Sequence, residues 1–143
     1  MPYASQQDLI DRAGLAVILM LTDRGAQPAE QIDAAIMARA LADADAVING
    51  YLAAKYTLPL TAVPGLIRDL AITVTLYKLH TSDPEAKVKA DYDAAMRQLR
   101  DVASGMIRLP DAAGLEPATQ TGNGVMTNDR ERPFTPDNLK GFI

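Results

Sequence analysis

The chain offers few side chains with which to do chemistry: one histidine, His80, and no cysteine among 143 residues. Without cysteine there is no disulfide, no thiolate nucleophile and no sulfur-ligated zinc or iron–sulfur site. A single imidazole would need several carboxylates to complete a metal shell, and His80 falls at a helix end. There a cation complements the C-terminal dipole, which explains it without a ligand role. Asp91 and Asp93 are two residues apart, as are Asp43 and Asp45. At that spacing two carboxylates point to different sides of a helix, so neither pair makes an acid–base couple, and both read as solvated faces. "TGNG", Thr121–Gly124, lacks the lysine and the following helix of a phosphate-binding loop. Its Asn-Gly pair suits a tight turn, where φ is positive. Tyr51, Tyr56, Tyr77 and Tyr92 fall on apolar helix faces, where the ring packs and the hydroxyl reaches the edge. No catalytic constellation emerges, so the chain reads as a non-enzyme with no cofactor and no metal.

The elements that would position any site are helices. Ser5 is a good N-cap, with Asp8 three residues on, for a short helix of about 5–13. Gly14 breaks it. "LAVILMLTD", Leu15–Asp23, is a compact apolar piece that reads as a second short helix. From Ala29 to Tyr56, apolar residues at three- and four-residue steps predict the main helix, with Asp33, Arg39, Asp43 and Asp45 on its outer side. Thr57–Gly65 holds two prolines and predicts a rigid extended connector. Leu66–Leu79 restarts a helix that is apolar nearly all round, which requires cover from several sides. It is either the central helix of the domain or partly covered by another subunit, with Leu66, Leu70, Ile72 and Leu76 as candidate interface residues. Asp83 as N-cap and Pro84 in the first turn predict a last helix running to Ser104, with Gly105 just beyond.

Composition changes after Leu109. Residues 110–143 hold four prolines and four glycines and no sustained period. The expected architecture is therefore all-α: a helical domain of four to five helices over 1–109 and an extended C-terminal arm over 110–143. "TGNGV" is compatible with a short hairpin in the arm. Both phenylalanines of the protein lie in the arm, in "RPFTPDNLKGFI". Ordering those last residues costs on the order of 12–24 kcal/mol of backbone entropy. Burying Phe134, Leu139, Phe142 and Ile143 returns only about 6–12 kcal/mol. The arm thus reads as a segment that orders on meeting a partner, with Phe134, Pro136, Leu139, Phe142 and Ile143 as the binding residues.

The net charge of −4 argues against a nucleic-acid-binding surface, which needs clustered Lys and Arg. The N-terminal "MPYASQQDLIDR" has no basic stretch followed by an apolar one and does not read as a signal peptide. The run Leu15–Leu21 is far short of the ~20 residues of a membrane span, so no membrane partner is expected.

Several stretches together resemble one known family. "YASQQDLIDRAG" is similar to its opening, and "LTDR", Leu21–Arg24, follows in place. "ADAVINGYLAAKYTLPL", Ala44–Leu60, resembles its central signature, a helix ending in Gly-Tyr-Leu before a Leu-Pro-Leu connector. "VPGLIRDLAITVTLYKLH", Val63–His80, resembles the next helix, and "RPFTPDNLKGFI" the closing segment. The family is that of the head–tail connector, or adaptor, proteins of Mu-like bacteriophages and prophages. Two departures stand out. "GLAVILMLTD" is more apolar than the charged second helix of the pattern, and Asn49 stands where an acid is expected.

The resemblance implies a virion protein made in the bacterial cytoplasm and placed at the neck. It implies a homo-oligomeric ring of about twelve copies, following the portal, with heterologous side-to-side contacts. Such a ring would extend the channel through which double-stranded DNA passes without specific binding, its partners being the portal protein and tail or neck proteins. The arm would dock on the portal or a neighbouring subunit. The alternatives from the residues themselves are a tail-completion protein that binds the tail, or a non-viral helical module presenting a C-terminal peptide.

Overall fold

The computed structural model describes residues 2–26 and 30–109. Among them are five helices and no strand: α1 (Gln6–Ala13), α2 (Leu15–Thr22), α3 (Ala34–Leu52), α4 (Gly65–Leu79) and α5 (Ala86–Ser104). The described residues are all-α, as expected. The arm and its candidate hairpin lie outside the described residues.

Local chemistry explains most of the helix ends. The Ser5 hydroxyl accepts from the Asp8 N–H at 3.2 Å, and the Asp8 carboxylate accepts from the Ser5 N–H at 2.8 Å. This reciprocal box satisfies two donors at the start of α1. Gly105 adopts φ 85°, ψ 8° after α5, the left-handed conformation that a glycine supplies at a helix C-terminus.

Two starts differ from the sequence expectation. The main helix begins at Ala34 because Asp33, expected on its outer face, is the N-cap. Its carboxylate accepts from the N–H groups of Ala35 at 2.9 Å and Ile36 at 3.0 Å. Ile32 then packs on the core from the preceding loop. Likewise α5 begins at Ala86 with Glu85 in extended conformation, so Asp83 is not the cap. Pro84 does not decide the matter, since its fixed φ serves helix and extended backbone alike.

The core is built by α3, α4 and α5, with α1 packed on α4 and α2 on α1. The Leu109 N–H donates to the Tyr56 hydroxyl at 3.3 Å, which places the ends of α5 and α3 together. Hence α4 runs antiparallel to both. It touches α1, α3 and α5, and its residues Ile67, Leu70, Ala71, Ile72, Val74, Thr75 and Leu79 are all buried. Of the two readings of its apolar girth, the central helix is the one observed. The hydroxyl of buried Thr75 donates to the Ala71 carbonyl at 2.7 Å, so even the polar atom on this helix is satisfied.

Candidate interaction surfaces

Among the described residues no group of three His, Asp or Glu side chains is arranged to hold a metal ion. His80 caps α4, half-buried, with Nδ1 2.8 Å from the Leu76 carbonyl. Asp91 pairs with Lys87 one turn earlier on the exposed face of α5, Nζ to Oδ2 2.7 Å. Asp93 is exposed on the same helix. Asp43 shares a concavity of about 340 Å³ with Arg24, Arg39 and Lys78, between the start of α3 and the end of α4. The aspartates expected to be solvated faces thus divide: Asp43, Asp91 and Asp93 are exposed, whereas Asp45 is half-buried.

Asp45 belongs to a link that fastens the N-terminal segment to α3. Its Oδ1 accepts from the Tyr3 N–H at 3.0 Å, and the Tyr3 hydroxyl donates to Asn49 Oδ1. Burial pushes the Asp45 carboxyl above its ordinary value, with the Tyr3 N–H bond pulling partly back. Burial, and then the Asp45 charge, push the Tyr3 phenol upward as well. A carboxylate at position 49 would offer the phenol an acceptor too, but would place a second negative charge about one turn from Asp45. Asn49 accepts without that repulsion, a physical reason for the departure seen in the sequence. Beside this link Tyr3, Asn49, Leu58, Pro59, Leu60, Val63 and Arg68 line a groove of about 670 Å³ along the connector.

The candidate subunit-interface residues of α4 separate into two pairs. Leu70 and Ile72 are buried within the chain itself, so they offer a neighbour no free surface. Leu66 and Leu76 are half-buried against the core. The exposed large apolar side chains among the described residues are Met106, beyond α5, and three on α2. Ile18 is fully buried, but Leu15, Val17 and Met20 are 51%, 40% and 70% exposed. Seven of the eight residues of α2 are apolar, so a helix packed on one side must hold some of them in water. The signal was present in the sequence as the departure of "GLAVILMLTD" from its expected charged pattern. What sequence alone lacked was the partner of each face. The arm residues Phe134, Pro136, Leu139, Phe142 and Ile143 lie outside the described residues.

The comparisons with known proteins now bear on this helical frame. The family model described as Bacteriophage Mu, Gp36 matches residues 3–128. The chain belongs to this Mu Gp36 family. It is 34% identical over its whole length to "Gene product J" of Escherichia phage Mu, all of which is covered. It is 30% identical over 141 residues, 99% of the chain and 98% of the relative, to "Mu-like prophage FluMu protein gp36" of Haemophilus influenzae. The Gp36 match spans all five helices and reaches beyond Leu109, so the resemblance read from the sequence is to a phage family that the comparison bears out. Among the described residues, no helix of this family member is long and apolar enough to cross a membrane.

Proposed function

We propose that this protein is a structural component of the phage particle, a head–tail connector that forms a ring between portal and tail and extends the DNA channel. It carries out no catalysis in this role. The observation that carries the reading is the exposed apolar surface of α2, which spreads around more than one side of the helix. A chain whose central helix is already covered holds Leu15, Val17 and Met20 out to water, and this cost is explained by a surface that is covered on assembly. Kinship over the full chain to phage and prophage proteins supplies the setting. The net charge of −4 suits a channel wall to which DNA does not adhere.

The test is electron microscopy of the purified protein mixed with the portal of its own phage, with mass spectrometry of purified particles. A ring stacked on the portal, and the protein present in particles at the portal's stoichiometry, are expected. A protein that stays monomeric beside the portal and is absent from particles overturns the reading.

A further inference from the structure

We infer that the concavity between the start of α3 and the end of α4 is an oxyanion site for phosphate groups, held by Arg24, Arg39 and Lys78. The inference stands apart from the connector reading, because the site lies within one copy of the chain.

The three cations come from three elements. Arg24 follows α2, Arg39 lies inside α3, and Lys78 is in the last turn of α4. All three are exposed and line the same space of about 340 Å³. Ala35 and Ala40 also line it, and their single methyl groups leave it roomy. A water takes roughly 30 Å³, so a tetrahedral oxyanion fits with some of its hydration kept.

Elsewhere on this chain exposed cations meet carboxylates: Arg12 pairs with Asp69, and Lys87 with Asp91. Here they do not. None of Arg24, Arg39, Lys78 and Asp43 makes an ion pair among the described residues. Arg39 precedes Asp43 by one turn, the order that favours pairing least. Two further aspartates stand at the edges. Asp33 is engaged in the α3 cap, and Asp23 accepts from the Gly25 N–H, so neither lines the concavity. The helix dipole gives Lys78 a place at the end of α4, but it gives none to Arg24 or Arg39.

Charge selects the ligand class. Three cations against one carboxylate leave two positive charges. A phosphate monoester carries about −1.5 to −2, and two successive phosphodiesters carry the same, whereas one carboxylate leaves half the charge unmatched. Two carboxylates would have to bring two stems into one space. Arginine forks match phosphate oxygens two at a time, and lysine adds a point charge. The net charge of −4 averages over the whole chain and hides this spot. With two phosphates matched, a duplex is held far more weakly than by the roughly six to ten contacts of a DNA-binding protein, so DNA still slides past.

The experiment titrates the isotope-labelled full chain with inorganic phosphate, a short DNA duplex and triglutamate, at constant ionic strength, and follows backbone amides by NMR. Phosphate is expected to move the amides of Arg24, Ile36, Arg39, Ala40 and Lys78 saturably. Arg39→Gln with Lys78→Gln should weaken it at least about fivefold, and Asp43→Asn should tighten it at least about twofold. Lys89→Gln with Arg97→Gln removes the same charge from the exposed face of α5 and should change nothing. Circular dichroism checks that each variant folds, and the gain in Asp43→Asn is a change that misfolding does not mimic. A duplex that moves the same amides, with a slope of about −2 in log affinity against log salt, identifies the phosphate source as DNA. Phosphate binding without duplex binding identifies a small phosphate compound, and the site stands in either case. No saturable shift with phosphate, a stronger response to triglutamate, or equal weakening in the α5 variant overturns the inference.

Discussion

The ring of Tyr77 stacks on that of Tyr92, centroids 3.9 Å apart and planes 12° from parallel. The pair joins the last turns of α4 to the first turns of α5, close to the reversal at His80. Both rings are half-buried, so they add aromatic contact at the rim of the aliphatic core. The sequence placed both tyrosines on apolar faces but did not show that they meet.

Replacing either ring by leucine keeps apolar bulk and removes the stack. In a double-mutant cycle of Tyr77→Leu and Tyr92→Leu, the coupling is expected at about 0.5–1.5 kcal/mol. Urea unfolding of the four proteins measures it. A coupling indistinguishable from zero would show that the rings contribute only their separate burial.

Gly14 sits at φ 86°, ψ 147° between α1 and α2, and its N–H donates to the Ile10 carbonyl at 2.8 Å. Nothing lies within 4 Å of where a Cβ would stand. Gly14→Ala is therefore sterically free toward its neighbours and strained only in its own backbone. The expected loss is about 1–3 kcal/mol, since this region is nearly closed to other residues. The loss should be accompanied by faster hydrogen exchange in α2, whose direction this turn sets. An unchanged midpoint of thermal unfolding would contradict the assigned backbone geometry.

How much of this was legible beforehand depended on range. The Ser5–Asp8 box and the Gly105 cap are written in neighbouring residues, and both were read directly. The Asp33 cap is local too, but an aspartate on a periodic helical pattern serves equally as an outer-face residue. Its choice was settled by Ile32 finding the core from outside the helix. The ties from Tyr3 to Asp45 and Asn49 span more than forty positions and leave no local trace. The same limit governed the interface residues. Periodicity showed that α4 needed cover all round, but not that α1, α3 and α5 supply it. Nor did it show that the short α2 is left with exposed apolar side chains on more than one side.

Asp45 and Asp8 should pull stability in opposite directions with pH. Burial raises the Asp45 carboxyl, so the folded protein holds that proton more tightly than the unfolded chain. Its contribution then declines as pH rises from the ordinary carboxylate value through the raised one, and levels off above. The Ser5 backbone and hydroxyl bonds lower the Asp8 carboxyl, so its contribution is present above the ordinary value and lost as pH falls. Asp45→Asn keeps an oxygen for the Tyr3 N–H and removes only the charge. It is expected to raise the unfolding temperature above about pH 5 and to change it little near pH 3. Thermal scans across that range check the sign, and a variant less stable than the parent at pH 7 would contradict it.

The helical frame should stand without the residues beyond Leu109. Leu109 is itself buried, at 7% exposure, and its N–H is held by the Tyr56 hydroxyl. Buried Leu99 and Val102 complete α5 against the core before that point. Truncation after Leu109 thus removes none of the described core and none of its hydrogen bonds. The truncated chain is expected to keep the helical circular dichroism of the full chain and to unfold within about 3 °C of it, a shift below about 1 kcal/mol for a domain of this size. Loss of the cooperative transition would mean that residues beyond 109 are part of the folding unit. A cooperative transition retained together with lost self-association would assign those residues to contacts between copies, whereas lost portal binding alone would assign them to the portal.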